Sequence, residues 1–302
     1  MDSSAPFLSS DFFITISDIV LHNMRTEQEM VADLVNNTKE NPLIFLQTDM
    51  IHVVVGTLIR LPYRFTLVSY SCDDKLVPYY VYPLEDEILL AHMNKLLDCQ
   101  NLEKWYAKNI SIVHPKLFPV PLGPKFQWYS TEFFGEPKQP ILSILNEHCL
   151  TPEKNFLDQN MKSELLFFNY SVGTTEKPFY VEHTDIRKIA KEQLEENGFV
   201  MSENVPFIEY LQELSKYKFC ISPPGRGIDT HRHWESLMVG TIPIILHTPL
   251  DPLFEKLPVL FVNDYSEVTK EYLEGKYAEI QNGNYDFSVL YTDYWYKQVK
   301  NE

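Results

Sequence analysis

Short apolar runs alternate with longer, helix-like segments along the second half of the chain. Strands are predicted at Leu165–Ser171, Phe199–Met201, Lys218–Ser222, Ile242–Leu246 and Pro258–Val262, where β-branched, aromatic and aliphatic residues concentrate. The segments between most of them are charged or amphipathic and long enough for helices. Regular alternation of strand and helix predicts a parallel sheet with helices on both faces. The chain is therefore predicted to be an α/β protein.

The first half of the chain shows the same alternation less regularly. Strands are predicted at Leu43–Thr48 and Phe65–Tyr70, and helices at Thr26–Asn36 and Glu85–Leu97. This pattern predicts a second unit of the same class.

A stretch rich in proline and polar residues, 135–154, separates the two halves. We predict a first lobe over 1–152, completed by a helix within 285–302, and a second lobe over 153–284. Two lobes of similar size form a cleft, and clefts between domains are common ligand sites.

The charge balance limits the partners that the chain can bind. The 302 residues include 26 Lys and Arg against 42 Asp and Glu, a net charge of −16, which disfavours nucleic acid. No secretory signal and no apolar run of the ~18 residues that span a membrane is evident. The cysteines form no CxxC pair, so the sequence does not indicate a zinc site. We expect a soluble, cytoplasmic protein, in the host cytoplasm if the source is viral.

Basic residues of this acidic chain gather in one segment, SPPGRGIDTHRHWESLMVGTIPII, at 222–245. Gly225 and Gly227 lie in a predicted loop between a strand and a helix, where a backbone without Cβ atoms can approach a ligand closely. Arg226 and Arg232 can each bind phosphate oxygens through two N–H groups. Loop N–H groups and a helix N-terminus also favour anions. The segment predicts a binding site for a nucleoside diphosphate.

The helix of this segment is predicted to begin at Asp229 or Thr230, which are both good N-caps. Glu235 follows about one turn later, where a carboxylate can accept hydrogen bonds from both ribose hydroxyls. His231 either contacts phosphate or sugar or has a structural role, and His233 is predicted at the surface.

Two other functions fit part of this pattern. The glycines approach the dinucleotide-binding pattern, with Thr230 in place of its third glycine, which leaves an NAD-type oxidoreductase as an alternative. A catalytically inactive protein that binds glycan or nucleotide is a second alternative. No Gly-Lys-Ser/Thr follows the glycines, so the segment is not a Walker A loop.

The segment resembles the donor-binding motif of exostosin-like (family 47-type) glycosyltransferases, in the compact form found in algae and large DNA viruses. Weaker similarity covers LLFFNYS with Asn169 and Ser171, LQTD with Asp49, SYSCDD with Asp73, and FPVPLG with Gly123. The main motif comprises Ser222, Pro223, Pro224, Gly225, Asp229, His231, Arg232, Trp234, Glu235, Gly240 and Pro243.

The resemblance implies a GT-B fold, in which two Rossmann-like lobes face each other across a cleft. The second lobe would hold a nucleotide sugar and the first a glycan acceptor, with inversion at the anomeric carbon. It also implies that no metal or other cofactor is needed, and the sequence shows no convincing Asp-x-Asp pair. The donor-binding residues that we predict are Asn169, Ser171, Ser222, Gly225, Arg226, Gly227, Asp229, Thr230, His231, Arg232 and Glu235.

Inverting transfer needs a base that removes the proton of the acceptor hydroxyl. Asp73 and Asp49 each follow a predicted first-lobe strand, and Asp73 is preferred because a serine-rich turn precedes it. His52 and His114 are weaker candidates. The predicted function is transfer of a sugar, with xylose the best guess, from a UDP-sugar to a glycan hydroxyl.

Overall fold

A computed structural model describes residues 10–70, 87–124, 152–172, 186–225 and 227–300 of the chain. Within these ranges the strands are β1 (Ile19–Leu21), β2 (Leu43–Gln47), β3 (Phe65–Tyr70), β4 (Leu102–Ala107), β5 (Leu117–Pro119), β6 (Glu164–Phe167), β7 (Tyr217–Ile221), β8 (Ile242–Leu246) and β9 (Leu260–Val262). The α-helices there are α1 (Ser10–Ile16), α2 (Glu27–Asn36), α3 (Ile51–Leu58), α4 (Glu87–Asp98), α5 (Pro152–Leu157), α6 (Ile186–Glu196), α7 (Phe207–Leu214), α8 (His231–Met238), α9 (Asp251–Phe254), α10 (Lys270–Gln281) and α11 (Thr292–Lys300).

The described strands form two parallel sheets, which confirms the α/β prediction. Strands β1 to β5 make one sheet and β6 to β9 the other, each in sequence order. We call the parts built on these sheets the first and the second lobe. The core strands are almost wholly apolar, as expected for sheets covered on both faces.

Helices cover both faces of the first sheet. Because right-handed crossovers between strands in sequence order leave the connecting helices on one face, α2, α3 and α4 pack side by side there. The Tyr70 ring lies 5.9 Å from that of Phe13 in α1. The hydroxyl of Tyr106 donates to the carbonyl of Gln298 in α11 at 2.8 Å. Tyr70 and Tyr106 share one face of the sheet by register, so α1 and α11 cover the face opposite the crossover helices.

The second sheet is also covered on both faces. Phe219 in β7 packs against Tyr277 of α10, with ring centroids 5.9 Å apart. Its neighbour Cys220 lies beside Arg232 and Ser236 of α8. Since successive residues of a strand point to opposite faces, α8 and α10 lie on opposite sides of the sheet.

Some predicted elements differ from those observed. The predicted strand Phe199–Met201 is irregular backbone, and its central Val200 is 86% exposed. Strands β1 and β4 were not predicted from the sequence.

The C-terminal segment contacts both lobes. Tyr285 and Phe287 pack on Phe156 of α5 in the second lobe, with ring centroids 5.5 and 5.8 Å away. Helix α11 begins only at Thr292, and Lys300 near its end lies 3.7 Å from Asp18 of the first lobe. The chain thus passes from the second lobe back to the first.

Gly240 ends α8 with a left-handed backbone, φ +72°. A Cβ there would lie 2.6 Å from the backbone oxygen of Asn155. We expect Gly240→Ala to lower the free energy of unfolding by about 3 kcal/mol, from left-handed strain and backbone displacement together. The matched control is Gly275→Ala in α10, where a Cβ meets nothing within 4 Å and helix propensity predicts a gain of about 0.5–1 kcal/mol. Urea unfolding followed by tryptophan fluorescence measures both, and equal effects would contradict the prediction.

Candidate functional site

The carboxyl edges of the two sheets face each other. The segments after β4 and β5 supply Asn109, Leu122 and Gly123, which contact the segment between β7 and α8. The N–H of Leu122 donates to Oδ2 of Asp229 at 2.7 Å, and Oδ1 of Asn109 accepts from the N–H of Asp229 at 2.8 Å. Nδ1 of His231 lies 2.7 Å from the carbonyl oxygen of Gly123. Three hydrogen bonds therefore join the lobes at the N-terminus of α8.

Asp229 is the centre of this junction, and its side chain has no exposed surface. Its carboxylate accepts from Nε1 of Trp234 at 2.9 and 3.0 Å and lies 3.0 Å from Nδ1 of His233. Nε2 of His233 in turn lies 3.2 Å from the carbonyl oxygen of Ser222. The prediction that His233 is at the surface is wrong, because this residue is 3% exposed and binds Asp229 across one helical turn.

The two glycines of the loop give room to other side chains of the protein. A Cβ on Gly225 would lie 2.7 Å from Nη2 of Arg187, and a Cβ on Gly227 would overlap the side-chain amide of Asn109. Asn109 is fully buried with a left-handed backbone, φ +55°. The loop is thus shaped around one arginine of its own lobe and one asparagine of the first lobe.

A cavity of about 440 Å³ opens beside this junction, at the carboxyl ends of β6 and β7 and the start of α8. Six predicted donor-binding residues line it: Asn169, Ser171, Thr230, His231, Arg232 and Glu235. Pro223 of the motif also lines it, as do residues that were not predicted: Tyr170, Arg187, Asn204, Val205, Phe207 and Tyr210.

The other predicted residues lie elsewhere. Ser222, Gly225, Gly227 and Asp229 are beside the cavity but do not line it. Asp49 lies in a short 3-10 turn after β2, at the carboxyl edge of the first sheet. The other two predictions, Arg226 and Asp73, lie outside the described residues.

Two arginines give the cavity its positive charge. Nε of Arg187 donates to the carbonyl of Pro224 at 2.8 Å and its Nη1 to that of Ser171 at 3.1 Å. Burial, and then the charge of Arg232, lower the pKa of Arg187. Nη1 of Arg232 is buried without a hydrogen-bond partner among the described residues, and its guanidinium lies 5.2 Å from the ring centroid of Tyr210. Two desolvated cations favour an anionic ligand.

Polar groups with fixed orientations complete the cavity wall. Oε2 of Glu235, which is 4% exposed, accepts from the hydroxyl of Tyr210 at 2.9 Å. Burial, and then the charge of Glu235, raise the pKa of Tyr210 well above its ordinary value, so that this hydroxyl stays a donor. The amide nitrogen of Asn169 donates to the carbonyls of Ser202 and Glu203 at 2.9 and 2.6 Å. Such an arrangement suits a ligand that carries both phosphate and hydroxyl groups.

Two features are absent from the described parts of the chain. No group of three or more His, Cys, Asp or Glu there is placed to hold a metal ion. None of the helices there has the length and apolar character needed to cross a bilayer.

Comparison with known proteins finds a likeness to solved structures. No protein-family model and no curated protein matches the chain. A solved structure described as "OtsA apo structure" is similar with a TM-score of 0.40 and 9% sequence identity, over 91% of this chain and 76% of that one.

Proposed function

We propose that this chain is a glycosyltransferase of the GT-B type. It moves a sugar from a UDP-sugar to a hydroxyl of a glycan acceptor, with inversion at the anomeric carbon and without a metal ion. The observation that carries the proposal is the cavity of about 440 Å³ lined by two arginines and Glu235, where the carboxyl edges of two parallel sheets meet. Such a cavity is large enough for a nucleotide sugar.

The diphosphate is the leaving group of this reaction, and its developing charge must be stabilised. Arg187 and Arg232 supply two guanidiniums at the cavity wall. Thr230, His231 and Arg232 at the N-terminal end of α8 also line the cavity, where the positive end of the helix dipole favours an anion. In a transferase without a metal ion, such preorganised donors stabilise the charge of the departing diphosphate, which a divalent cation stabilises in metal-dependent transferases.

Glu235 is the proposed ligand of the ribose. Its carboxylate lines the cavity one turn beyond the start of α8. The acceptor enters from the first lobe, whose backbone at Gly123 borders the cavity through its contact with His231. The donor sugar is proposed to be xylose, from the resemblance to the compact viral and algal transferases.

Thermal shift with a ligand panel tests the proposal. The panel contains UDP, GDP, CMP, NAD, UDP-xylose and other UDP-sugars, each with and without EDTA. We expect UDP and one UDP-sugar to raise Tm equally with and without EDTA, because binding is proposed to need no metal ion. The shift should be large, since a ligand at 100 times its Kd stabilises the fold by about 2.7 kcal/mol. Glu235→Gln should weaken UDP binding, whereas Glu209→Gln, an exposed position of α7, should not.

The other possible results of the ligand panel would indicate a different function or overturn the proposal. A shift with NAD alone would indicate the oxidoreductase. A shift with UDP but no UDP release from any donor and acceptor would indicate an inactive binding protein. No shift with any nucleoside diphosphate would overturn the proposal.

A further inference from the structure

We propose that His231 is the general base of the transfer, an inference that rests on the proposed function above. The sequence directs attention to Asp49 and Asp73 in the first lobe, but the structure brings an imidazole of the second lobe into the cavity. This imidazole is oriented by the first lobe, so it is correctly placed only when the two lobes are together.

The hydrogen bond of His231 defines which ring nitrogen can act as a base. Nδ1 lies 2.7 Å from the carbonyl oxygen of Gly123, and a carbonyl can only accept a hydrogen bond. Nδ1 therefore carries the proton, and in the neutral ring Nε2 has the free lone pair. This is the arrangement by which a fixed acceptor holds a catalytic imidazole in one tautomer.

The position of Nε2 fits the reaction. His231 is the first residue of α8 and lines the cavity, and its Nε2 makes no hydrogen bond to any residue that the structure describes. Glu235 lies four residues further on, along the same side of the helix. With the ribose at Glu235 and the diphosphate at the arginines, the anomeric carbon would lie near His231 at the N-terminus of α8.

The proton and electron balance of the step is complete. Nε2 takes the proton of the acceptor hydroxyl while the hydroxyl oxygen forms a bond to the anomeric carbon. The bond from that carbon to the diphosphate oxygen breaks, and its electron pair leaves with the diphosphate, next to Arg187 and Arg232. The imidazolium then returns its proton to solvent. Water in place of the acceptor gives slow hydrolysis of the donor by the same route.

His231→Asn separates the catalytic role from a purely structural one. An asparagine amide nitrogen can take the place of Nδ1 and still donate to Gly123, but nothing replaces Nε2. We expect the rate of UDP release, with acceptor or with water, to fall about 10²- to 10⁴-fold, the usual contribution of a general base. Tm should not change and the Kd for UDP should stay within about threefold of wild type, because neither depends on Nε2. Imidazole added to His231→Ala should restore part of the rate.

The pH dependence of kcat/KM is a second test of His231 as the general base. The acidic limb of kcat/KM should be lost in His231→Asn and kept in Glu235→Gln, which removes the carboxylate of the cavity wall. The remaining titratable and charged groups that line the described cavity are Tyr170, Arg187, Tyr210 and Arg232.

Three results would overturn the inference. One is a His231→Asn protein that keeps more than about a tenth of the wild-type rate while Asp49→Asn or Asp73→Asn loses it. Another is a loss of UDP affinity in His231→Asn in proportion to the loss of rate, which would indicate a binding role. A wild-type protein that binds UDP but turns over no donor would also remove the need for a base. Failure of the proposed function itself is distinguishable, because then the wild type does not bind UDP.

Discussion

Asp229→Ala is expected to lower the free energy of unfolding by about 3–5 kcal/mol, the usual cost of removing one partner from a buried ion pair or network. The carboxylate has no exposed surface and accepts from Trp234 and from the backbone N–H of Leu122, with Nδ1 of His233 3.0 Å away. Without it these groups lose their partner inside the protein, and the link from α8 to the first lobe is lost. Urea unfolding followed by tryptophan fluorescence measures the effect.

The chain offers a matched control for this substitution. Asp251 pairs with His247 at 2.6 Å with the same four-residue separation, but the two side chains are 33% and 51% exposed. Asp251 also accepts from the N–H of Thr248 at 2.8 Å, so Asp251→Ala should cost about 1 kcal/mol, well below the cost expected at Asp229. Asp229→Asn keeps the shape and one acceptor oxygen and should lie between the two. If Asp229→Ala costs no more than Asp251→Ala, Asp229 does not hold the lobes together.

Three of the strands that could be predicted from the sequence are buried along almost their whole length. Leu43–Gln47, Phe65–Tyr70 and Ile242–Leu246 are runs of apolar residues, and such runs in a chain that also carries amphipathic helices favour a parallel sheet. Helix α2 begins after Thr26 with a complete capping box, a local signal that needs no tertiary information. These elements are determined by residues close together in the chain.

The strands that the sequence did not reveal lack this local signal. β1 is a run of three apolar residues between the polar residues Asp18 and His22, too short to indicate a strand. β4 contains Glu103 and Lys104, which make the run look like a polar connection. Glu103 is held in the sheet by Arg64 at 3.0 Å and by Asn41 at 2.6 Å, partners 39 and 62 residues away. Only the tertiary structure shows that this charge is paired.

The candidate site also combines features that neighbouring residues determine with features that only tertiary contacts determine. The motif around α8 could be recognised because its residues are consecutive, and several of them line one cavity. The sequence did not show that Asp229 and His233 point into the junction between the lobes, because helical spacing alone does not say which partner a polar residue meets. Arg187 was missed for a related reason. It reaches the cavity from α6, about 40 residues before the motif, through the space that Gly225 leaves open.

Arg232→Met is expected to separate the binding of nucleotide from the stability of the fold. We expect the Kd for UDP to rise between about 10-fold and 150-fold, since a hydrogen bond to a charged group contributes about 1.5–3 kcal/mol. The free energy of unfolding should change much less, because the removal of a desolvated guanidinium offsets the lost attraction to Glu235, which raises the pKa of Arg232. The guanidinium is a desolvated charge whose Nη1 has no partner among the described residues, and a flexible apolar side chain packs well between the Tyr210 and Phe167 rings.

Two companion variants make the result specific. Arg232→Lys keeps the charge but loses the planar pair of N–H groups, so its affinity for UDP should lie between those of wild type and Arg232→Met. Arg64→Met removes an arginine that is 72% exposed and paired with Glu103, and should change neither quantity by more than about 0.5 kcal/mol. Titration calorimetry and urea unfolding on the same samples give both values. A cost in stability that matches the loss of affinity would mean that Arg232 supports the fold. Opposite signs for the two effects would mean that the chain keeps a destabilising charge at this position for its ligand.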